Sequence, residues 1–185
     1  MNSTLISGMI IWNDRRHGMF EQIMSGPFTR SHYILSNIVT IGIIGMISAF
    51  LTTSIGFILF FDYAEIGLIT VPLIIFASIF GAILFGSVAS IISTRISSSE
   101  GFNVIINTVF FFFAFTSTTF YPASKATEVL SMAFYLNPLT YIVDIIRASI
   151  FGIFTELVII EMILLVAVAI GFFALATKLL TKLDF

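Results

Sequence analysis

Long uncharged apolar runs, separated by short polar turns, organise the whole chain. Ile34 to Phe61 is the first, with small residues scattered through it, and it ends at Asp62 and Glu65. Ile66 to Thr94 is the second and stops at Arg95 and Glu100; Gly101 to Tyr121 is the third and stops at Pro122. A fourth covers 157–177, where the only charge is Glu161, and Lys178 and Lys182 follow. A helix needs about 20 apolar residues to cross a hydrocarbon core of about 30 Å. The pattern therefore predicts four full spans, 34–61, 66–94, 101–121 and 157–177. Leu5 to Trp12 is apolar too, but twelve helical residues cover only about 18 Å. Residues 1–12 read as the end of a truncated span whose beginning is missing.

The stretch 122–156 behaves differently. Val129 to Val143 is apolar, yet Asn137-Pro138 interrupts it. Proline removes a backbone donor and biases its predecessor away from helix, so two short helices are predicted rather than one rod. In the second, Leu139, Ile142, Val143, Ile146 and Ile150 share one face, and Thr140, Asp144 and Arg147 the other. Asp144 and Arg147 are three apart and can pair on the helix surface. They suit either a solvated ion pair on an interfacial helix or a guard at an outer exit.

Basic residues favour the cytoplasmic side of a membrane and so select the topology. Arg15, Arg16 and Arg30 precede the first full span, Arg95 follows the second, and Lys178 and Lys182 follow the last. If 122–156 enters from the outer face and returns to it, these six lie inside, and only Lys125 and Arg147 lie outside. A full crossing by 129–150 would put Lys178 and Lys182 outside and set a broken helix in lipid. The re-entrant arrangement is preferred.

Composition supports the membrane reading. Of 185 residues, 58% are hydrophobic and 10% charged, against roughly 25% charged in soluble domains. The longest hydrophilic stretch, 13–33, is too short to fold alone, and the formal net charge of −2 says little. The absence of cysteine rules out disulfides and thiol chemistry. No basic residue precedes Leu5 to Trp12, so the N-terminus does not resemble a secretory signal. The expected fold class is all-α, a polytopic helical membrane protein.

Residues 13–33 read NDRRHGMFEQIMSGPFTRSHY. Asn13 or Asp14 can cap a short helix, and Gly26-Pro27 ends it. Met19, Phe20 and Ile23 form its apolar face, and Arg15, Arg16 and Glu21 its charge. Such a helix beside a bilayer either lies on lipid headgroups or docks in a protein groove.

Two strings carry a family resemblance. Gly18, Glu21, Pro27 and Arg30 follow a Gly-x-x-Glu-x-x-x-x-x-Pro-x-x-Arg pattern. Pro122, Asn137, Pro138, Leu139, Thr140, Tyr141, Asp144 and Arg147 follow a second pattern three spans later. Together, in this order, they resemble the permease subunits of type-2 ATP-binding-cassette exporters. That resemblance implies a coupling helix seated in a cleft of a separate ABC ATPase subunit. Its contacts would be Arg16, Gly18, Met19, Phe20, Glu21, Ile23, Pro27 and Arg30. It further implies outer re-entrant helices built on Pro122, Asn137, Pro138, Tyr141, Asp144 and Arg147. The working exporter would pair two permease copies, a homodimer or heterodimer, with two ATPases in the plasma membrane. This chain would bind no cofactor itself; ATP and Mg would sit on the ATPase. The upstream part of the family pattern is absent here, so the chain reads as a fragment, a misplaced start or half of a split permease.

Ser78, Ala82, Gly86 and Ser90 place a small residue every four positions, for internal packing or for a dimer interface. Asn103 and Asn107 share a face of the third span, as interhelical hydrogen-bond partners or as lining for a polar headgroup. Glu161 lies about one turn inside the last span, either solvated at the boundary or engaged with substrate or protons. The block Phe110 to Phe113 faces all directions and is chiefly packing and lipid surface.

No G-x-x-x-x-G-K-[ST] loop, H-E-x-x-H or G-x-S-x-G occurs. His17 and His32 have no third ligand nearby in sequence, so no metal is expected, and no basic-aromatic cluster points to nucleic acid. The leading function is an ATP-driven exporter permease, not itself an enzyme, for an amphipathic drug, lipid or lipid-linked sugar. An ion-coupled carrier and a non-transporting scaffold are the alternatives.

Overall fold

A computed structural model describes residues 10, 13–14, 17–59, 67–96, 98–121 and 126–181. The readings for residues 1–9, Arg15, Arg16, the Asp62/Glu65 turn, Pro122, Lys125 and Lys182 lie outside the described residues. The described elements are seven helices: α1 Met19–Met24, α2 Arg30–Leu59, α3 Thr70–Ser93, α4 Ser99–Phe115, α5 Glu128–Leu136, α6 Pro138–Phe151 and α7 Glu156–Thr181. The chain is an all-α polytopic membrane protein. Among the described residues, α3 and Glu156–Leu179 of α7 are long and apolar enough to cross a membrane, and the bent pair α5–α6 makes a third if it counts as one span.

Local chemistry sets the helix ends. Asn13 and Asp14 do not cap α1, because Gly18, in the left-handed region with φ 70°, stands between them and the start of the helix at Met19. The Asn13 carbonyl instead accepts from the His17 amide at 3.0 Å, and α1 opens with the Gln22 amide bonded to the Gly18 carbonyl at 3.2 Å. Glycine takes that φ at no steric cost, so the turn is set there. The helix α2 starts earlier than the apolar run, at Arg30, with the Thr29 hydroxyl accepting from the His32 amide at 3.4 Å. The third expected span, 101–121, is helical only to Phe115. Hydroxyl and amide groups take the last carbonyls: Ser117 Oγ bonds Ala114 O at 2.8 Å, and Asn137 Nδ2 bonds Phe113 O at 2.7 Å. Side chains thus satisfy the orphan carbonyls and the helix stops.

The chain divides into two compact units. The first comprises 1–45, 82–108 and 169–185, and the second 46–81 and 109–168. Leu84, Phe85, Ala89, Phe102, Ile106, Ala169 and Ala176 are buried in the first. Its buried serines return their hydroxyls to their own helix, Ser87 to Ile83 O at 2.6 Å and Ser90 to Gly86 O at 2.7 Å. A hydroxyl in an apolar setting costs least when so bonded. In the second unit the buried set includes Leu73, Ala77, Phe110, Ala114, Phe134, Tyr141, Ile145, Ala148 and Leu165.

Gly81 makes a close approach in this unit, since a Cβ built there would lie 3.0 Å from Ile142 Cδ1 of α6. Gly86 and Ser90 of the small-residue series are buried, whereas Ser78 and Ala82 are half-buried. The approach of α3 to α6 therefore uses a residue one position off that series.

Candidate functional site

Around α1 the described residues are mostly exposed, and two of them are large and apolar. Met19 is 52% accessible and Phe28, just past Pro27, is 59%. Ile23 is half-buried, and Gly18 and Pro27 are exposed. Arg16 lies outside the described residues, as do the side chains of Phe20, Glu21 and Arg30. The Tyr33 hydroxyl donates to Asp14 Oδ2 at 2.6 Å, tying the segment before α1 to the start of α2. Burial first, and then the Asp14 carboxylate, push the Tyr33 hydroxyl above its ordinary value, so it stays a donor. Neither Phe28 nor this bond was foreseen. Phe28 adjoins Pro27 of the quoted pattern, but no periodicity marks a residue in a turn, and Asp14 and Tyr33 are 19 positions apart.

The second cluster is built on the break between α5 and α6, where the chain bends by 87°. Asn137 is 4% exposed and does two tasks. Its Oδ1 accepts from the Leu139 amide at 2.9 Å, capping α6, and Pro138 follows at the position that needs no donor. Its Nδ2 donates to Phe113 O and to Thr116 Oγ1 at 3.0 Å, holding the break against the end of α4. These opposite demands fix the amide orientation. The Tyr141 hydroxyl donates to the Tyr135 carbonyl, bridging the same break. Thr70 Oγ1 donates to Ser149 O at 2.8 Å near the end of α6, which closes at Gly152 with φ 67°.

Asp144 and Arg147 pair at 2.8 Å, but they are not merely a solvated surface pair. Thr118, 2% exposed, donates its hydroxyl to Asp144 Oδ1 at 2.9 Å. Arg147 Nη2 donates to the Thr118 carbonyl at 3.0 Å. The buried residues of α6 are Pro138, Thr140, Tyr141, Ile145, Ala148 and Ser149. Leu139, Ile142, Val143, Ile146 and Ile150 are half-buried. So Thr140 of the polar face turns inward, while the aliphatic face is left partly accessible. In a bilayer an aliphatic face loses nothing by meeting lipid, and of the polar face it is Asp144 and Arg147 that find partners, at Thr118.

Of the pathway candidates, Asn103 and Asn107 belong to the first unit, and Asn107 Nδ2 donates to the Asn103 carbonyl at 2.7 Å. That amide is engaged by its own helix. Glu161 belongs to the second unit. Its Oε2 is buried without a hydrogen-bond partner among the described residues, in a side chain that is half-buried overall. Its electrostatic neighbours are Asp144 and Tyr141. The Thr140 hydroxyl is likewise buried and unpartnered among the described residues.

The family model described as ABC-2 type transporter matches residues 1–151. No curated protein matches the chain.

Proposed function

Because this chain belongs to the ABC-2 type transporter family and is a membrane permease of that type, we propose that it is the membrane half of an ATP-driven exporter. Its energy comes from an ABC ATPase on a separate subunit, which binds ATP and Mg. The observation that carries this reading is the short helix α1. It stands between Gly18 and Pro27, just ahead of the long helix α2, and exposes Met19, while Phe28 is exposed just past Pro27. An exposed apolar helix of this size suits insertion into a groove of another protein. The positions 13–33, 95–100 and 178–185 then face the cytoplasm, and the break at Asn137 faces the opposite side. A second permease copy completes the pathway in a plasma membrane, and the cargo is amphipathic.

Co-expression with candidate ABC ATPase subunits, followed by affinity purification through the permease, tests this directly. A stable complex is expected, with recovery reduced several-fold by Phe20→Ala or Glu21→Ala. Failure of every such ATPase to co-purify overturns the coupling reading, and so does a complex indifferent to both changes. The buried unpartnered oxygen of Glu161 favours a second reading, an ion-coupled carrier. Transport in vesicles driven by a proton or sodium gradient without nucleotide would support it, and strict nucleotide dependence would remove it.

A further inference from the structure

The second unit carries a continuous groove distinct from the network at Asn137. Its larger part, about 470 Å³ and open to the surface, is lined by Phe76 of α3 and Ile159, Met162, Ile163, Val166 and Ala167 of α7. Ile159 and Met162 also line an adjoining part of about 350 Å³, where Leu73, Phe154, Thr155 and Glu156 join them. From Glu156 to Ala167 the helix rises about 16 Å, more than half of a hydrocarbon core of about 30 Å. The groove is therefore apolar along its length and acidic at one end. That is the outline of an amphiphile.

Charge selects the headgroup. Among the described residues the second unit holds Glu128, Asp144, Glu156 and Glu161 against Arg147, a net −3, whereas the first holds Asp14, Glu21 and Glu100 against Arg30, Arg95 and Lys178, a net of zero. Among these residues the acidic excess falls entirely in the unit that carries the groove. Arg147 is already engaged by Asp144 at 2.8 Å. Glu156 is exposed at the mouth, in the first turn of α7. The positive end of that helix offsets about half a charge, which still leaves the mouth acidic.

We propose that the groove between α3 and α7 binds the alkyl chain of a cationic amphiphile, with its ammonium headgroup at Glu156. The site belongs to the permease alone, and its occupation is independent of any ATPase. Binding and the exporter reading therefore stand or fall separately.

The test uses the full-length protein in maltoside micelles and an alkyltrimethylammonium probe with a photoreactive diazirine at its chain end, and the labelled residues are mapped by mass spectrometry. Labelling is expected at Phe76 and within 159–167. Hexadecyltrimethylammonium should compete for it, and hexadecanoate and hexadecyl maltoside should not. Glu156→Gln is expected to weaken that competition by about threefold to fivefold, the size of an exposed ion pair. Ala167→Phe, which fills the larger part, should abolish labelling at Phe76 in protein that still elutes as a folded species. Labelling that falls elsewhere, ignores headgroup charge or is unchanged by Glu156→Gln overturns the proposal.

Discussion

At the scale of single residues, two polar side chains hold positions that no apolar residue could. Asn137 caps α6 and also holds the Phe113 carbonyl. Asn137→Ala is expected to destabilise the protein by roughly 2 kcal/mol, about 1 from the lost cap and about 1 from the carbonyl left without its donor. Asn137→Ser keeps a capping oxygen but is too short to reach Phe113, so it should recover about half of that loss. Unfolding in mixed micelles, read by circular dichroism, measures both. Tyr33 provides a pH signature. Its folded-state pKa lies above the ordinary 10.0, so the folded chain holds the proton more tightly than the unfolded one. The stability it contributes is whole below that ordinary value and is lost as pH rises beyond it. Melting temperatures taken from pH 8 to pH 11 should fall more steeply for the parent protein than for Tyr33→Phe. Equal slopes would show that the Asp14 bond contributes nothing to folding.

At the scale of elements, the approach of α3 to α6 depends on the absence of a side chain at Gly81. A Cβ there meets only the Ile142 side chain, its Cδ1 at 3.0 Å and its Cγ1 at 3.8 Å, the first being the far end of a flexible group. Gly81→Ala is therefore expected to be nearly neutral, its gain in helix propensity of up to about 1 kcal/mol set against a small shift of Ile142. Gly81→Leu has no space to occupy and should destabilise by about 1–3 kcal/mol. The same unfolding measurement separates the two, and a Leu variant as stable as the parent would show that this contact is not maintained. Periodicity placed a small-residue series on α3, but it could not say which side of α3 α6 approaches. It also grouped the residues of α6 by polarity, whereas burial there does not follow polarity: Thr140 is buried, and Ile142, Val143 and Ile146 are half-buried. Nor could it show the partners of Asp144 and Arg147, because a turn between helices supplies both a donor and an acceptor to α6.

At the scale of the whole molecule, the placement of Lys and Arg implies one topology, and the chain is suited to testing it because it contains no cysteine. In sealed membranes, Ser97→Cys and Lys182→Cys should react with an impermeant maleimide from one side and Lys125→Cys from the other. If positions 182 and 125 react from the same side, 129–150 crosses the membrane completely and the proposed arrangement of the exporter is wrong.

The all-α membrane class, the length and order of the main apolar runs, the break at Asn137-Pro138 and the family were readable from sequence alone. They follow from hydrophobic run length, proline chemistry and short strings of residues, all of which are local along the chain. What only the tertiary structure decided was which polar atoms meet: Asn137 with Phe113, Tyr33 with Asp14, Thr70 with Ser149, and Thr118 with both Asp144 and Arg147. It also decided that α4 stops at Phe115 and that Gly81 is a point of close approach. In lipid nearly every apolar face is equally acceptable to the solvent, so hydrophobicity places helices in the membrane without choosing how they pack. That choice falls to hydrogen bonds and close steric fits between residues far apart in sequence, which no run or period encodes.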